Sequence, residues 1–425
     1  MSIFRKIYAW HLTLLVLLLT ACQPTPPTAT SDKVSFMVFG DPAELKAYQT
    51  LVKVFITQHP EIEIELIHIP GQSDYRQRLA ADFAAGTPAD VVLINYRRLA
   101  GFAIKHALEP LGPYLDQSAA LNATDFYTPA LDAFYWQGQH VCIPQNISSL
   151  VVYYNQDLFE AAGMAYPQTG WTWDDFLATA QALTKDTDGD GATDQYGLGV
   201  EPEFIRVAPF IWQNGGDLAT PLGLTLGTPE ALAAVQWFVN WQVTHHIVPG
   251  RAEEESESSE SRFQNGRTAM YLNSRRIVPT LREAATFEWD VAPLPQNVAR
   301  ATLLHADAYC LAAVSKAKDA AWTFIEFANS ADGQTLIAKT GRTVPSLKAV
   351  AESPAFLDPT VKPAHSQVFL DEIPYIFRLP LVPGWVDIEE ITSAELQRAF
   401  YGDAPVAEAM VSAVTRAAPY FTEND

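Results

Sequence analysis

The densest group of potential metal ligands lies between Asp186 and Gly197. Asp186, Asp188 and Asp190 stand at positions 1, 3 and 5 of a calcium-loop pattern, and Asp194 stands at position 9. Alternate carboxylates in such a loop bring hard oxygen ligands onto one cation, as Ca²⁺ requires. Position 12 is Gly197 instead of the usual glutamate, so a bidentate ligand would come from elsewhere or be absent. We expect either a structural calcium ion or an Asp/Gly-rich turn that binds nothing.

Sequence motifs of catalysis are missing from the chain. It contains no Gly-rich phosphate loop ending in Gly-Lys-Ser or Gly-Lys-Thr, no His-Glu-x-x-His pair and no Gly-x-Ser-x-Gly elbow. His245 and His246 are adjacent, so on a helix their side chains diverge, which argues against a shared metal ion. These absences favour a protein that is not an enzyme and that requires no cofactor.

Composition and charge indicate a folded globular chain. Of its 425 residues 48% are hydrophobic and only 18% are charged, which is far from the composition of disordered chains. The formal net charge of −21 would repel nucleic acid and the anionic face of a membrane. Three cysteines permit at most one disulfide, and no pair of them has the spacing of a zinc site. The length suggests roughly two to three domains.

The amino terminus has the layout of a secretory signal peptide. A short basic region precedes an apolar run from Leu12 to Leu19, which is shorter than the roughly 20 residues of a membrane span. The run ends in Leu-Thr-Ala-Cys at Cys22, which resembles the bacterial lipobox, where the cysteine is lipidated. We expect a signal peptide over residues 1–21 and a lipidated tether over residues 22–31, with an ordinary cleaved signal as the alternative. The body would then be extracytoplasmic and lipid-anchored to the cell membrane.

Hydrophobic periodicity after the tether predicts alternating strands and helices. Apolar residues alternate over 34–38 and 62–66, as in strands, and the continuous apolar run 89–94 is typical of a buried parallel strand. Helical spacing occurs between them, over 45–55 and 75–85. The order β-α-β-α-β indicates an α/β fold class. Further strands are predicted over 141–144 and 150–154, and further helices over 173–183, 229–243, 320–329 and 404–417.

Six short segments follow one another in an order that resembles one protein family. They are Gly86-Thr-Pro-Ala-Asp-Val-Val92, Tyr153-Tyr-Asn-Gln-Asp-Leu-Phe159, Trp171-Thr-Trp-Asp-Asp-Phe176, Asp186-Thr-Asp-Gly-Asp-Gly191 with Asp194-Gln-Tyr-Gly197, Trp212-Gln-Asn-Gly-Gly-Asp217 and Phe263-Gln-Asn-Gly-Arg-Thr-Ala-Met270. From about Val34 to near the C-terminus, the chain is similar to the extracellular solute-binding proteins of carbohydrate ABC importers, the family of maltose-binding protein. The resemblance implies a two-lobe periplasmic-binding-protein-like fold with a hinge that the chain crosses more than once. It implies lobe one over 32–144 plus 312–366, and lobe two over 145–311 plus 367–425.

The same resemblance implies a monomeric receptor that encloses a sugar or oligosaccharide and delivers it to the permease subunits of an ABC importer. Such a receptor meets the membrane only through its lipid anchor. A sugar has hydroxyls and apolar C–H faces, so its site needs aromatic platforms beside amide, carboxylate and guanidinium groups. Two alternatives stay open. One is a secreted glycoside-active enzyme with paired carboxylates, and the other is the same fold with a non-sugar solute, which would show as a cleft lined by charges instead of aromatic rings.

Candidate ligand-binding residues follow predicted strands, adjoin glycine turns, or occupy loops that supply sugar contacts in the family. Asp41 and Asn95 come after predicted strands, at the edge where ligands approach an open α/β sheet. Trp212 and Trp385 are the expected stacking rings, one beside flexible glycines and one in a C-terminal loop. Each has a structural alternative, which is helix capping for Asp41 and core packing for the tryptophans. The full ligand-binding set is Asp41, Asn95, Tyr96, Asn146, Trp212, Gly215, Asn273, Asp307 and Trp385. Asn273 and Asp307 are lesser candidates, as are Arg275 and His305 outside the set.

The resemblance also places Cys142 and Cys310 in strand-like segments at the hinge. They are expected either to form the one available disulfide, which an extracytoplasmic compartment permits, or to remain two separate buried thiols.

Overall fold

Two open β-sheets, each covered by helices, form the two lobes of the molecule. The structure is a computed structural model that describes residues 32–422. The predicted signal peptide, the tether and Cys22 lie outside the described residues. Across residues 32–422, no helix is both long enough and apolar enough to cross a membrane. The arrangement confirms the predicted α/β class with two lobes.

The strands of the described residues, in chain order, share the two main sheets and three smaller ones. They are β1 (Asp32–Phe39), β2 (Ile62–Ile69), β3 (Val91–Asn95), β4 (Tyr135–Trp136), β5 (Gln139–His140), β6 (Cys142–Pro144), β7 (Ser148–Ser149), β8 (Val151–Asn155), β9 (Tyr196–Gly199), β10 (Ala219–Thr220), β11 (Gly223–Leu224), β12 (Thr268–Asn273), β13 (Trp289–Ala292), β14 (Thr302–His305), β15 (Asp307–Leu311) and β16 (Ile376–Phe377).

The α-helices lie between these strands and in a C-terminal group. They are α1 (Pro42–Gln58), α2 (Gln72–Ala84), α3 (Tyr96–Ala103), α4 (Gly112–Gln117), α5 (Thr128–Asp132), α6 (Gln156–Ala161), α7 (Trp173–Leu183), α8 (Phe204–Gln213), α9 (Pro229–Val243), α10 (Arg251–Ser256), α11 (Ser259–Gln264), α12 (Val278–Ala284), α13 (Lys318–Asn329), α14 (Ala331–Ala338), α15 (Lys348–Ala351), α16 (Gln367–Asp371), α17 (Trp385–Phe400), α18 (Val406–Ala417) and α19 (Pro419–Thr422). Short 3₁₀ turns span Ala123–Asp125, Arg275–Ile277 and Ile373–Tyr375.

The sheet of lobe one has the strand order β2-β1-β3-β15-β6. β1 is parallel to β2 and β3, whereas β15 is antiparallel to β3 and β6. Alternate residues of β1 point to opposite faces, and both faces are buried under helices. Phe36 packs on Tyr48 of α1 and Phe324 of α13, with ring centroids 5.6 and 4.9 Å away. Phe39 packs instead on Tyr75 of α2, at 5.0 Å.

The sheet of lobe two has the order β13-β8-β12-β9. β8 is antiparallel to β12 and β13, and β9 is parallel to β12. Aromatic residues join the helices over this sheet: Trp173 of α7 stacks on Trp237 of α9 at 3.9 Å, and Phe210 of α8 lies 5.3 Å from Trp237. Such ring pairs add packing energy beyond the area that they bury, so α7, α8 and α9 form one apolar layer.

Segments 145–147, 305–307 and 343–345 lie side by side between the lobes and form the predicted multi-crossing hinge. The backbone N–H of Gln145 donates to the carbonyl of Asp307 at 2.8 Å, and that of Ile147 donates to Val344 at 2.9 Å. Next to these crossings, β14 pairs with β7 and β16 in a three-stranded sheet. The hinge segments therefore hydrogen-bond to one another.

The lobe boundaries differ from the expected ones at two crossings. The sequence-based division places Asp307–Leu311 in lobe two, but β15 pairs with β3 and β6 in the sheet of lobe one. It also places 353–366 in lobe one, yet Phe356 and Lys362 contact Arg275 and Glu288 of lobe two. Hydrophobic periodicity identifies a strand without identifying its partners, so it does not locate a crossing.

A disulfide joins Cys142 to Cys310 in lobe one. The two residues are directly opposite each other in the antiparallel pair β6–β15, with Cα atoms 4.5 Å apart. Of the two expected states of these cysteines, the structure contains the bonded one. The bond lies just beyond the hinge and closes a loop of 168 residues, which restricts the unfolded chain.

Candidate functional site

A cavity of about 380 Å³ lies between the lobes, beside the hinge. Lobe one contributes the ends of β1 and β3 and the starts of α1, α2 and α3, and lobe two contributes residues 201–206, the end of β12 and part of α17. Ends of parallel strands and starts of helices meet at this edge of an open α/β sheet, where ligands are commonly bound. We call this cavity the cleft.

Asp307 lies where the hinge meets the cleft. Its backbone N–H donates to Asn146 Oδ1 at 2.7 Å, and its Oδ1 accepts from Asn95 Nδ2 at 3.1 Å. Asn95 also caps α3, since its Oδ1 accepts the backbone N–H of Arg97. Burial raises the pKa of Asp307, and the hydrogen bond from Asn95 opposes that rise. The three predicted residues Asn95, Asn146 and Asp307 are thus brought together at the cleft.

Glu44 is a buried carboxyl of the cleft that the sequence did not single out. It stands at the third position of α1, where Asp41 caps the helix by accepting the Glu44 N–H at 2.9 Å. Arg342 Nε lies 2.8 Å from Glu44 Oε1, whereas the buried Oε2 has no hydrogen-bond partner within residues 32–422. Burial raises the pKa of Glu44 to about 8, in spite of Arg342. Gly40 has φ of 135°, and a Cβ there would fall 1.6 Å from Glu44 Oε2, so only glycine fits.

The wall of lobe two is a chain of polar contacts. Asn273 is fully buried, and its Nδ2 donates to the hydroxyl of Tyr271 at 2.7 Å. Arg206 is also buried, and its Nη2 lies 3.1 Å from Glu201 Oε2, but its Nη1 has no partner among the described residues. His305 Nε2 on the hinge is likewise buried without a partner. Burial and nearby guanidinium groups lower the pKa of His305, so its ring is neutral at pH 7.

Charged residues outnumber aromatic ones in the lining of the cleft. Phe39 is the one Phe, Tyr or Trp among the described lining residues. Arg97 Nη1 bonds to Glu389 Oε1 and thereby joins α3 of lobe one to α17 of lobe two. The charged lining residues, His305 apart, are Glu44, Arg76, Arg97, Glu201, Glu203, Arg206, Arg276, Asp307, Arg342 and Glu389. Basic and acidic groups are equal in number, and most of them are paired.

Five predicted site residues do not line the cleft, namely Asp41, Tyr96, Trp212, Gly215 and Trp385. Trp385 is fully buried at the start of α17, where it packs against Phe204. Trp212 is 7% exposed and stacks on Phe377 at 5.1 Å. Tyr96 is buried, and its hydroxyl accepts the backbone N–H of Leu379 at 3.2 Å. Gly215 follows the end of α8 with a φ of 79°, as a helix C-terminal glycine does.

These residues lie outside the cleft in the structure. The sequence alone does not distinguish core from cleft here, because both require the same residue types. The predicted alternative of core packing describes both tryptophans. Asp41 caps α1, as its alternative states, and it lies 3.4 Å from Arg342, which lines the cleft. Arg275, a lesser candidate, is buried and bonds to Gly341 and Ser366.

The predicted calcium loop is a tight acidic turn on the surface. Ligand atoms of Asp186, Asp188 and Asp194 lie within 4.8 Å of one another. Backbone N–H groups of Gly189 and Gly191 donate to Asp186 and lower its pKa. Asp190 does not join the group, because its Oδ1 accepts the N–H of Ala192.

Sequence signals for the missed residues are weak. Glu44 follows a helix cap, and a Glu at this position is a common capping residue. The pattern alone therefore suggests a role in helix capping and not in ligand binding. Arg206, Glu201 and Glu389 meet the cleft only because α8 and α17 pack beside it. A contact between residues far apart in the sequence leaves no local pattern.

One family model and one known protein each match most of the chain. Residues 50–363 match the family model described as bacterial extracellular solute-binding protein. A putative binding protein of Brucella abortus is 26% identical over 364 residues, which are 84% of this chain and 85% of that protein. The sn-glycerol-3-phosphate-binding periplasmic protein of Escherichia coli is 24% identical over 263 residues, 59% of this chain and 58% of that protein.

Solved structures agree with the two-lobe fold. An ABC substrate-binding protein of Listeria monocytogenes in complex with cycloalternan has a TM-score of 0.84 at 24% identity, over 91% of this chain and 98% of that one. Maltose-bound MalE3 of T. maritima has a TM-score of 0.76 at 24% identity, over 90% and 98% of the two chains.

Trp385→Ala tests the assignment of this ring to the core. Removing a fully buried indole should lower the free energy of unfolding of the ligand-free protein by about 3 to 5 kcal/mol. Urea unfolding followed by circular dichroism measures the loss. Trp385→Phe, which keeps an aromatic ring in the core, is the control and should lose clearly less. A loss of unfolding free energy under about 1 kcal/mol in Trp385→Ala would contradict the assignment of this ring to the core.

Glu44→Gln tests the buried carboxyl. The folded state holds a proton up to about pH 8, whereas the unfolded state releases it near the ordinary pKa of 4.5. Stability contributed by this proton is therefore lost as pH rises through this range, at up to about 1.4 kcal/mol per pH unit. Urea unfolding from pH 5 to 9 should show a weaker fall in Glu44→Gln than in wild type. Glu63→Gln, on the exposed side of β2, should follow wild type, and parallel curves for all three would contradict the raised pKa.

Proposed function

This chain belongs to the bacterial extracellular solute-binding protein family, and we propose that it binds a hydroxyl-rich solute, a sugar or oligosaccharide, between its lobes. It then delivers this solute to the permease of an ABC importer. Solved relatives in complex with cycloalternan and with maltose support the class of solute.

The observation that carries this proposal is the unsatisfied polar lining of the cleft. Glu44 Oε2, Arg206 Nη1 and His305 Nε2 are buried and have no partner among the described residues. Such groups cost free energy until something bonds to them. A hydroxyl both donates and accepts, so a polyol can serve carboxylate and guanidinium groups side by side. A solute with one fixed charge would be repelled by about as many lining groups as attract it.

A charged solute is the second candidate, and one observation favours it. The cleft has a charged lining, with Phe39 as the one Phe, Tyr or Trp among its described residues, and such a lining distinguishes a non-sugar site from a sugar site with stacking platforms. The E. coli relative named above binds sn-glycerol 3-phosphate, a polyol that carries a charge. The two candidates differ in salt dependence, because screening weakens the binding of an ion and leaves that of a neutral sugar unchanged.

The location proposed for the receptor rests on the amino-terminal sequence and on the family. Leu-Thr-Ala-Cys at Cys22 supports lipid attachment, and residues 22–31 supply a tether. An extracytoplasmic lipoprotein of this kind would act as a monomer and catalyse no reaction. Recovery of an unaltered sugar after prolonged incubation with the protein separates this role from that of a glycoside-active enzyme.

A thermal-shift screen over mono- and oligosaccharides, followed by calorimetry of the best ligand, tests the proposed function. We expect Asp307→Asn to weaken binding by about tenfold or more, because a hydrogen bond to a charged acceptor contributes about 1.5 to 3 kcal/mol. Its ligand-free stability should be equal or higher, since burial disfavours the charge.

Asp116→Asn in α4 is the matched control, since this carboxylate is exposed and outside the cleft. It should bind as wild type does. Equal affinity in wild type and Asp307→Asn would remove Asp307 from the site, and stabilisation by sn-glycerol 3-phosphate alone would favour the charged solute.

We also propose a structural calcium ion in the loop from Asp186 to Asp194. Three converging carboxylates support it, and the missing residue at position 12 predicts a weak site. The melting temperature should be higher in millimolar calcium than in EDTA, and Asp188→Asn should reduce that difference. Asp190→Asn should retain it, because Asp190 is not one of the three converging carboxylates. Identical melting temperatures in calcium and EDTA would contradict the ion.

A further inference from the structure

A second and larger cavity, of about 770 Å³, lies beside the cleft between the lobes. Lobe one contributes α2, α3 and the loop after α3, and lobe two contributes the start of α17. Arg76 lines both this cavity and the cleft. Where the cleft is polar, this cavity has an apolar wall that includes Phe83, Phe102 and Val386. We call it the side cavity.

Apolar residues of the side cavity form a continuous surface. The rings of Phe83 in α2 and Phe102 in α3 touch, with centroids 4.9 Å apart. Pro383 lies over α3, where its carbonyl oxygen is 3.3 Å from the position of a Cβ on Gly101. A Cβ at Gly101 would require Pro383 to shift by a few tenths of an ångström. The glycine thus lets the two lobes approach closely and form one wall.

Two guanidinium groups in the side cavity have no partner. Arg76 and Arg98 make no hydrogen bond or ion pair with any residue between 32 and 422, although most other arginines there do. Both are half-buried. Burial, together with the charges of Arg97 and Arg76, lowers the pKa of Arg98 to about 10. A half-buried, mutually repelling pair of cations is stabilised by an anion between or beside them.

Acidic residues of the same cavity do not fill this role. Asp387 and Glu390 of α17 also line it, but both are exposed to solvent and neither pairs with Arg76 or Arg98. The half-buried charge in the side cavity is therefore positive, next to an apolar wall.

We propose that the side cavity is a binding site for a small apolar anion, such as an alkyl carboxylate. Arg76 and Arg98 bind the anionic group, and the surface at Phe83 and Phe102 accepts the tail. A guanidinium fork matches a carboxylate geometrically and can bind it through two parallel hydrogen bonds. This site adjoins the solute cleft and shares Arg76 with it, but the chemical class of its occupant does not depend on which solute the cleft binds.

Calorimetry with sodium decanoate, on the protein without added sugar, tests the proposal. We expect one decanoate to bind per chain. Acetate, which lacks the tail, and decyltrimethylammonium, which reverses the charge, should each bind at least about tenfold more weakly. Arg98→Met and Arg76→Met keep most of the side-chain volume and remove the charge, so each should weaken decanoate by about tenfold or more.

Arg78→Met is the matched control, because Arg78 lies on the same helix but pairs with Asp82 outside the cavity. It should bind decanoate as wild type does. Arg98→Lys, which keeps a charge, should retain part of the affinity, and this keeps the test valid if Arg98→Met does not fold. Three results would overturn the proposal: no binding of decanoate at millimolar concentration, equal binding of decyltrimethylammonium, or unchanged affinity in both methionine variants. None of these results bears on sugar binding, which the cleft variant Asp307→Asn tests separately.

Discussion

The hydrogen bonds that meet at Asp307 connect two crossings of the hinge to each other and to the cleft edge of lobe one. Its backbone carbonyl and N–H bond to the neighbouring crossing at Gln145 and Asn146, and its side chain bonds to Asn95. Asp307 also begins β15, whose Cys310 is joined to Cys142 of β6. Two crossings are thereby fixed to each other at the hinge and again by the disulfide. The segments that form the two cleft walls continue directly from the hinge. This connection therefore fixes the positions of the walls.

Charge pairing in the cleft follows from the cost of burying charge. An unpaired buried ion loses several kcal/mol of hydration, and most guanidinium groups there have carboxylate neighbours, such as Glu389 beside Arg97. Pairing is incomplete at Glu44 Oε2 and Arg206 Nη1. Burial outweighs the attraction of Arg342 and raises the pKa of Glu44. In such a site most polar groups already have hydrogen-bond partners. A ligand that bonds to the few remaining groups is therefore favoured.

Local patterns predicted the elements well and the site only in part. The strands over 34–38 and 62–66 and the helix Trp173–Leu183 were predictable, because alternation and 3.6-residue spacing report which face is buried. Asn95 could be predicted to lie at the cleft because it ends a buried strand. Trp385 could not, since a tryptophan at a helix start can face a core or a ligand equally well. Only the packing of α17 on α8 decides between them.

The ion pair between Arg97 and Glu389 separates two cavities of different chemistry. The next residues along each helix, Arg98 and Glu390, line the side cavity instead, because one residue turns an α-helix by about 100°. Both cavities take walls from both lobes, so the angle at the hinge sets the volume of each. A change of that angle that separates α3 from α17 must also break this pair. An occupant of either cavity that binds better at one hinge angle shifts the equilibrium between hinge angles. Ligands of the two cavities would therefore be linked through the hinge without touching each other.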